Sequence, residues 1–203
     1  FWFKSKAKIK MESINNIKDI FNNTPENKLQ MFIEQYKDDS RQGVANLVKR
    51  AAKKIDDYNK EIERTYKLSK FERKYSDYEF ICGIDEVGRG PLAGPVVAGA
   101  VILPKDCDIL YINDSKKLSA KKREELYEVI MEKAVCAKTA VVSPKVIDEI
   151  NILQATYEAM RQAISMLEPQ PTLLLNDAVN IPGVPMKQVS IIKKKKKSIS
   201  IGA

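Results

Sequence analysis

Two adjacent acids, Asp85 and Glu86, close a short apolar run. Burying a carboxylate without a partner costs several kcal/mol or forces it neutral. A strand-end pair of acids therefore asks for a cation. A second apolar run, Thr172–Asn176, stops at another acid, Asp177. Acids at the ends of two neighbouring strands converge readily in an α/β sheet. Successive strand residues point to opposite faces, so Asp85 and Glu86 share one centre only where the strand twists out at its end. Oxygen donors without His or Cys select hard ions, Mg²⁺ or Mn²⁺. Such sites serve phosphoryl chemistry, with two metals about 4 Å apart stabilising the attacking and leaving oxygens. The competing reading of these acids is a capped turn held by salt bridges.

Between the two acidic strand ends lies Gly88-Arg89-Gly90-Pro91-Leu92-Ala93-Gly94. Its third glycine falls one residue late for a dinucleotide fingerprint, and a strand follows it rather than a helix. The Gly-Lys-Ser/Thr of a P-loop is missing too. What remains is a turn whose backbone can approach a ligand closely. Arg89, between two glycines, is placed to meet a phosphate or the acids.

Other chemistries are closed. The 203 residues contain no histidine, which excludes Ser-His-Asp and Cys-His catalysis and imidazole-bound metals. Three cysteines, Cys82, Cys107 and Cys136, sit far apart with no CxxC, which argues for a reducing, cytoplasmic setting. No apolar run approaches the roughly 18 residues of a membrane span, and the N-terminus lacks the apolar stretch of a secretory signal. The formal charge of +8 lies at the ends: four lysines in residues 1–10 and five in 193–197 account for nine of 35 basic residues, and the other 26 face 27 acids. Residues 1–10 read as a leader or artefact ahead of Met11. Lys193–Lys197 reads as a solvated tail or a sequence artefact, or alternatively as a phosphate-binding patch.

The elements that must position these residues follow from periodicity. Residues 12–74 are polar and helical, with Thr24 as N-cap and Pro25 at a first helical position. Val44, Val48, Ala51, Ile55, Tyr58 and Ile62 form a heptad stripe on a helix of roughly thirty residues. It is expected to pair with a helix at Leu29–Tyr36 as an antiparallel hairpin, either a structural appendage or a nucleic-acid clamp. Strands are predicted at Glu79–Asp85, Pro95–Leu103, Lys138–Val142, Thr172–Asn176 and Gln188–Lys193. Helices are predicted at Ser119–Ala134, with Leu126, Val129 and Ile130 inward, and from Ser143-Pro144 to about Leu167. Pro169 and Pro171 end the latter. The order β-β-α-β-α-β-β implies an α/β fold with a mixed sheet. The expected organisation is a helical N-terminal extension over 11–77 and a catalytic domain over 78–203.

These motifs together resemble bacterial ribonuclease HII, the type 2 ribonuclease H. The likeness runs from Gly83–Gly94 through Asn113-Asp114-Ser115-Lys116-Lys117-Leu118-Ser119, Val142-Ser143-Pro144, Ile147–Met160 and Leu173–Pro182 to Ile191–Ile201. Asp39-Ser40-Arg41-Gln42-Gly43-Val44 resembles the helical extension of some such enzymes. The resemblance implies a ribonuclease H-like mixed sheet flanked by helices. It implies a metal-dependent endonuclease, using Mn²⁺ or Mg²⁺, that cuts the RNA strand of RNA–DNA hybrids. It also implies cutting 5′ of single ribonucleotides in duplex DNA, as in ribonucleotide excision repair, leaving 3′-hydroxyl and 5′-phosphate ends. By the same resemblance Asp85, Glu86 and Asp177 are the metal-binding, catalytic carboxylates. Gly88, Arg89 and Gly90 read the 2′-hydroxyl through backbone groups, and Lys116 and Lys117 lie near the substrate backbone. A monomer without membrane contacts is expected.

Two departures from the family pattern stand out. The family's fourth carboxylate lies beyond a helix after Ser198–Ile201, whereas this chain reads as truncated at Ala203. Lys194-Lys195-Lys196 stands where a Gly-Asp-Ala stretch is usual. The alternative expectation is therefore a catalytically impaired relative that only binds hybrids. A purely structural coiled-coil module leaves the strand-end acids unexplained.

Overall fold

The computed structural model describes residues 12–90, 93–177, 179–191 and 198–203. Residues 1–10 and Lys193–Lys197 fall outside the described residues. The chain divides into two compact units, one up to Ile62 and one from Glu63.

The first unit is helical: α1 (Ile14–Asn23), α2 (Leu29–Tyr36) and most of α3 (Gln42–Leu68). Ser13 caps α1 by accepting from the Asn16 backbone N–H. Thr24 does not start a helix as expected. It ends α1, and its hydroxyl donates to the Ile20 carbonyl, 2.6 Å away. A short 3-10 turn, Glu26–Lys28, leads into α2. The core joins Ile17 and Phe21 of α1 to Leu29, Phe32 and Tyr36 of α2 and to Val44, Leu47 and Ala51 of α3. Three helices thus share a core where the heptad stripe suggested two. The stripe is covered only along its first half: Ala51 is fully buried while Ile62 is 44% exposed. Ile17 and Phe21 of α1 supply the apolar surface that the two-helix reading lacked.

The second unit opens with the end of α3 and α4 (Lys70–Lys74). It continues through β1 (Ile81–Val87), β2 (Val96–Ile102), α5 (Ala120–Lys133), β3 (Cys136–Val142), α6 (Pro144–Ser165), β4 (Leu173–Asn176), β5 (Lys187–Ser190) and α7 (Ile199–Gly202). One five-stranded sheet runs β3-β2-β1-β4-β5. β1 pairs antiparallel with β2, and β2 with β3, while β1 is parallel to β4 and β4 to β5. The mixed α/β sheet is the fold class that the alternation of elements implies.

Strand periodicity sorts the sheet's side chains into two cores. Cys82, Ile84, Ala98, Ala100, Ile102 and Leu174 face α6, whose Ala155, Ala159, Met160 and Ala163 let it sit close. On the other face Val101 packs with Ile112, Leu126 and Ile130, and Ile81, Leu173 and Leu175 pack with Ile191 and Ile201. α5 buries Leu126 and Ile130, with Val129 partly covered, as its periodicity predicts. Ser143 caps α6 ahead of Pro144. α6 is broken at Asn151, whose φ is 68° and whose side-chain oxygen accepts from Leu153 and Gln154 to restart the helix. Among the described residues no helix is long and apolar enough to cross a membrane.

Candidate active site

β1 is the central strand, and its burial decides where chemistry can occur. Ile81 to Ile84 are buried, Asp85 and Glu86 half-buried and Val87 exposed. The strand thus leaves the core at the two acids. Its parallel pairing with β4 ends at Ile84 opposite Asn176. The next residues are Asp85 and Asp177, on strands that neighbour each other at about 4.8 Å. Both are half-buried. Adjacent parallel strands thus bring two of the three predicted carboxylates to the same end of the sheet.

On the other side Asp85 faces Gly99 of β2. A Cβ at Gly99 would meet nothing within 4 Å, so the missing side chain leaves space beside the carboxylate. That space belongs to a cavity of about 360 Å³ lined by Asp85, Glu86, Asn113, Asp114, Lys138 and Thr139, among others. Asp177, Arg89 and Lys116 are not part of its lining. The Asp85 Oδ1 accepts from the Glu86 N–H at 2.9 Å. Glu86 is 15% exposed at its side chain and meets Arg89 Nη1 at 3.5 Å, a long ion pair. Among the described residues no three Asp, Glu, Cys or His side chains stand together closely enough to hold a metal ion. The donor chemistry still fits a hard divalent ion, because Asp85 and Glu86 border an open cavity and Asp177 follows the end of the neighbouring strand.

The glycine turn is built as a close backbone approach. Gly88 has φ 96°, and a Cβ there would lie 2.2 Å from the Pro95 carbonyl oxygen, so no other residue fits. Gly90 has open space around it, and Arg89 is exposed. Lys116 and Lys117 lie on a 3-10 turn, Ser115–Lys117, capped by Asp114, whose Oδ1 accepts from the Lys116 N–H at 3.2 Å. Both lysines are exposed, and Asn113 to Ser115 carry the turn to the cavity wall.

The bonds that support the site escaped the sequence reading. Asn176 is fully buried and donates from Nδ2 to Gln188 Oε1 at 2.8 Å and to the Val179 carbonyl at 3.3 Å. Gln188 also bonds both the N–H and the carbonyl of Ile181, and Ser190 donates to Val179. These bonds tie the loop after Asp177 back to β5. A polar residue closing an all-apolar strand is the signal that could have flagged Asn176. Two residues before Asp85, α7 crosses β1 at Gly83, where a Cβ would sit 2.1 Å from the Ser200 backbone. Glu72 of α4 fixes α7 by accepting from the Ser200 N–H at 3.0 Å. No short-range pattern links Glu72 to a segment 128 residues away.

Comparison with known proteins gives a consistent picture. The family model "Ribonuclease HII" matches residues 82–203, and "Ribonuclease HII N-terminal domain" matches 13–76. The ribonuclease HII of Lachnoclostridium phytofermentans is 59% identical over 84% of this chain and 67% of its own length. That of Clostridioides difficile is 47% identical over 95% of this chain and 76% of its own. That of Bacillus anthracis is 51% identical over 81% of this chain and 65% of its own. The chain thus spans about two thirds to three quarters of the length of these curated relatives. Among solved structures, the ribonuclease H2 from Pyrococcus horikoshii OT3 superposes with a TM-score of 0.51 at 24% identity, covering 61% of this chain and 67% of that one, a likeness of fold.

Proposed function

This chain belongs to the ribonuclease HII family, and we propose that it is a metal-dependent endonuclease cutting the RNA strand of RNA–DNA hybrids. The reading extends to cutting 5′ of a single ribonucleotide in duplex DNA. Water adds to phosphorus, the bond to O3′ of the preceding nucleotide breaks, and 3′-hydroxyl and 5′-phosphate ends result. The observation that carries the reading is the β1–β4 register, which sets Asp177 beside Asp85 at the sheet end where Glu86 and the glycine turn begin. Asp85, Glu86 and Asp177 would hold Mg²⁺ or Mn²⁺, whose chemistry is to polarise the phosphate and raise the acidity of water. Arg89 and the exposed Lys116 and Lys117 offer charge to the phosphate backbone. The backbone at Gly88 to Gly90 approaches the sugar without side-chain bulk, where a 2′-hydroxyl can donate and accept.

The position of Asp177 outside the cavity that Asp85 and Glu86 line favours a second reading, a relative that grips hybrids without cutting them. One assay separates the two. The protein is incubated with Mn²⁺ and a labelled duplex holding one ribonucleotide, and nicking and gel shift are read together. Nicking 5′ of the ribonucleotide is expected, with an all-DNA duplex left intact. Asp85→Asn and Asp177→Asn should each lower the rate on the order of a hundredfold or more, as for loss of a catalytic electrostatic contact. Nicking by Asp85→Asn at the wild-type rate sinks the endonuclease reading. A gel shift without nicking by the wild-type chain supports the binder.

A further inference from the structure

We propose that the face of α3 carrying Lys49, Arg50, Lys53 and Lys54 is a second contact for nucleic acid, gripping the phosphate backbone of a duplex without regard to sequence. The proposal rests on the nucleic-acid reading above for its class of partner and adds to it a surface in the other compact unit.

All four side chains are exposed. Lys49 with Lys53, and Arg50 with Lys54, are spaced four residues apart, so each pair stacks on one helix face about 6 Å apart along the axis. Like charges at that spacing destabilise a helix. The second half of α3 avoids the problem: Asp56 pairs with Lys60 at 2.5 Å and Glu63 with Lys67 at 2.6 Å. Among the described residues no carboxylate pairs with the four cations of the first half.

Two of the four are also held in place. The Arg50 guanidinium carbon lies 4.9 Å from the centre of the Phe21 ring and the Lys54 Nζ 4.8 Å from it. Phe21 is fully buried in the first unit's core. The charged heads therefore rest over a rigid aromatic, and less rotamer freedom is lost when they meet an anion from the solvent side. The exposed residues beside the patch on α3 are Asn46, Ala52, Asp56 and Asp57, none of them aromatic or a large aliphatic. Protein hot spots and membrane-surface helices need an apolar anchor. A row of fixed cations without one fits a polyanion whose charges repeat along a line, which a duplex backbone supplies.

The test uses the full chain and fluorescence anisotropy in EDTA, with a DNA duplex and an RNA–DNA hybrid over a range of salt. The variant is Lys49→Gln with Lys53→Gln, since neither lysine touches Phe21. Losing two phosphate contacts should flatten the plot of log K against log salt by about 1.8 on DNA. Lys49→Arg with Lys53→Arg should restore the slope, and far-UV ellipticity should stay at the wild-type value. Anionic vesicles should bind weakly and equally to wild type and variant. An unchanged slope overturns the proposal, as does loss of vesicle binding with duplex binding intact. The nicking assay is independent. A flattened slope in a chain that never nicks supports this surface against the endonuclease reading. Full nicking with an unchanged slope overturns the surface alone.

Discussion

At the scale of single residues, the acids proposed for the site draw the eye because charge at the end of an apolar strand is conspicuous. Asp85 and Asp177 each close a run that reads as a buried strand, and the structure puts those runs side by side. What was not legible is where each side chain turns. The Glu86 contact with Arg89 depends on the path of the glycine turn. The same holds for Asp39. In the sequence it belongs to a short polar link between helices. In the structure its carboxylate accepts from the Arg41 N–H at 3.0 Å and from the Arg41 side chain at 2.6 Å, and Arg41 in turn donates to the Glu12 carbonyl. The Arg41 side chain, and then its backbone N–H, hold the Asp39 carboxyl down to about 2, from an ordinary value of 3.8. A carboxyl depressed in the folded state stabilises fully above its unfolded value and loses that effect as pH falls toward the folded one. The first unit should therefore weaken between about pH 4 and pH 2. Urea midpoints of helix unfolding across that range check it. Asp39→Asn should remove part of the decline, and an equally steep decline in that variant would count against the assignment.

At the scale of elements, type and order were readable while breaks and crossings were not. Ser143-Pro144 announces α6 in its own local chemistry, and the heptad stripe announces α3. The break at Asn151 carries no glycine or proline, and the asparagine caps a second helical start from inside the first. The crossing of α7 over β1 is a long-range contact, so nothing near Gly83 declares it. Gly83 looks like an ordinary weak point in a strand, yet its missing side chain lets the Ser200 backbone lie against β1. Substitution by alanine puts a methyl group 2.1 Å from main-chain atoms that cannot rotate away. Gly83→Ala should destabilise the second unit by about 2–3 kcal/mol or more, as overpacking against backbone does. Urea unfolding followed by ellipticity would show a lower midpoint at unchanged slope. A midpoint equal to wild type would mean that α7 does not press on β1. The same substitution tests whether the strand leading to Asp85 depends on this contact, because a looser β1 should also slow nicking.

At the scale of the whole molecule, two cores coexist in one chain. One is the three-helix cluster around Phe21 and Phe32, whose rings lie 5.6 Å apart. The other is built on both faces of the sheet, with Cys82, Ile84 and Met160 on one side. The sequence suggests a helical part up to residue 77 and an α/β part from residue 78, and α3 runs without a break past Ile62, where the compact units divide. A continuous helix hides a change of neighbours, since its local pattern answers to its own period. Separate cores should respond separately to damage. Phe21→Ala removes a fully buried ring and should cost the first unit about 3–5 kcal/mol. Cys82 is a built-in reporter for the second unit: burial pushes its thiol up to about 12, so alkylation at neutral pH requires the sheet to open. In urea, Phe21→Ala should lose helical ellipticity earlier than wild type while Cys82 resists alkylation up to the wild-type urea concentration. If Cys82 becomes reactive together with the early helix loss, the cores unfold as one, and the helical unit then contributes directly to the stability of the sheet that carries Asp85 and Asp177.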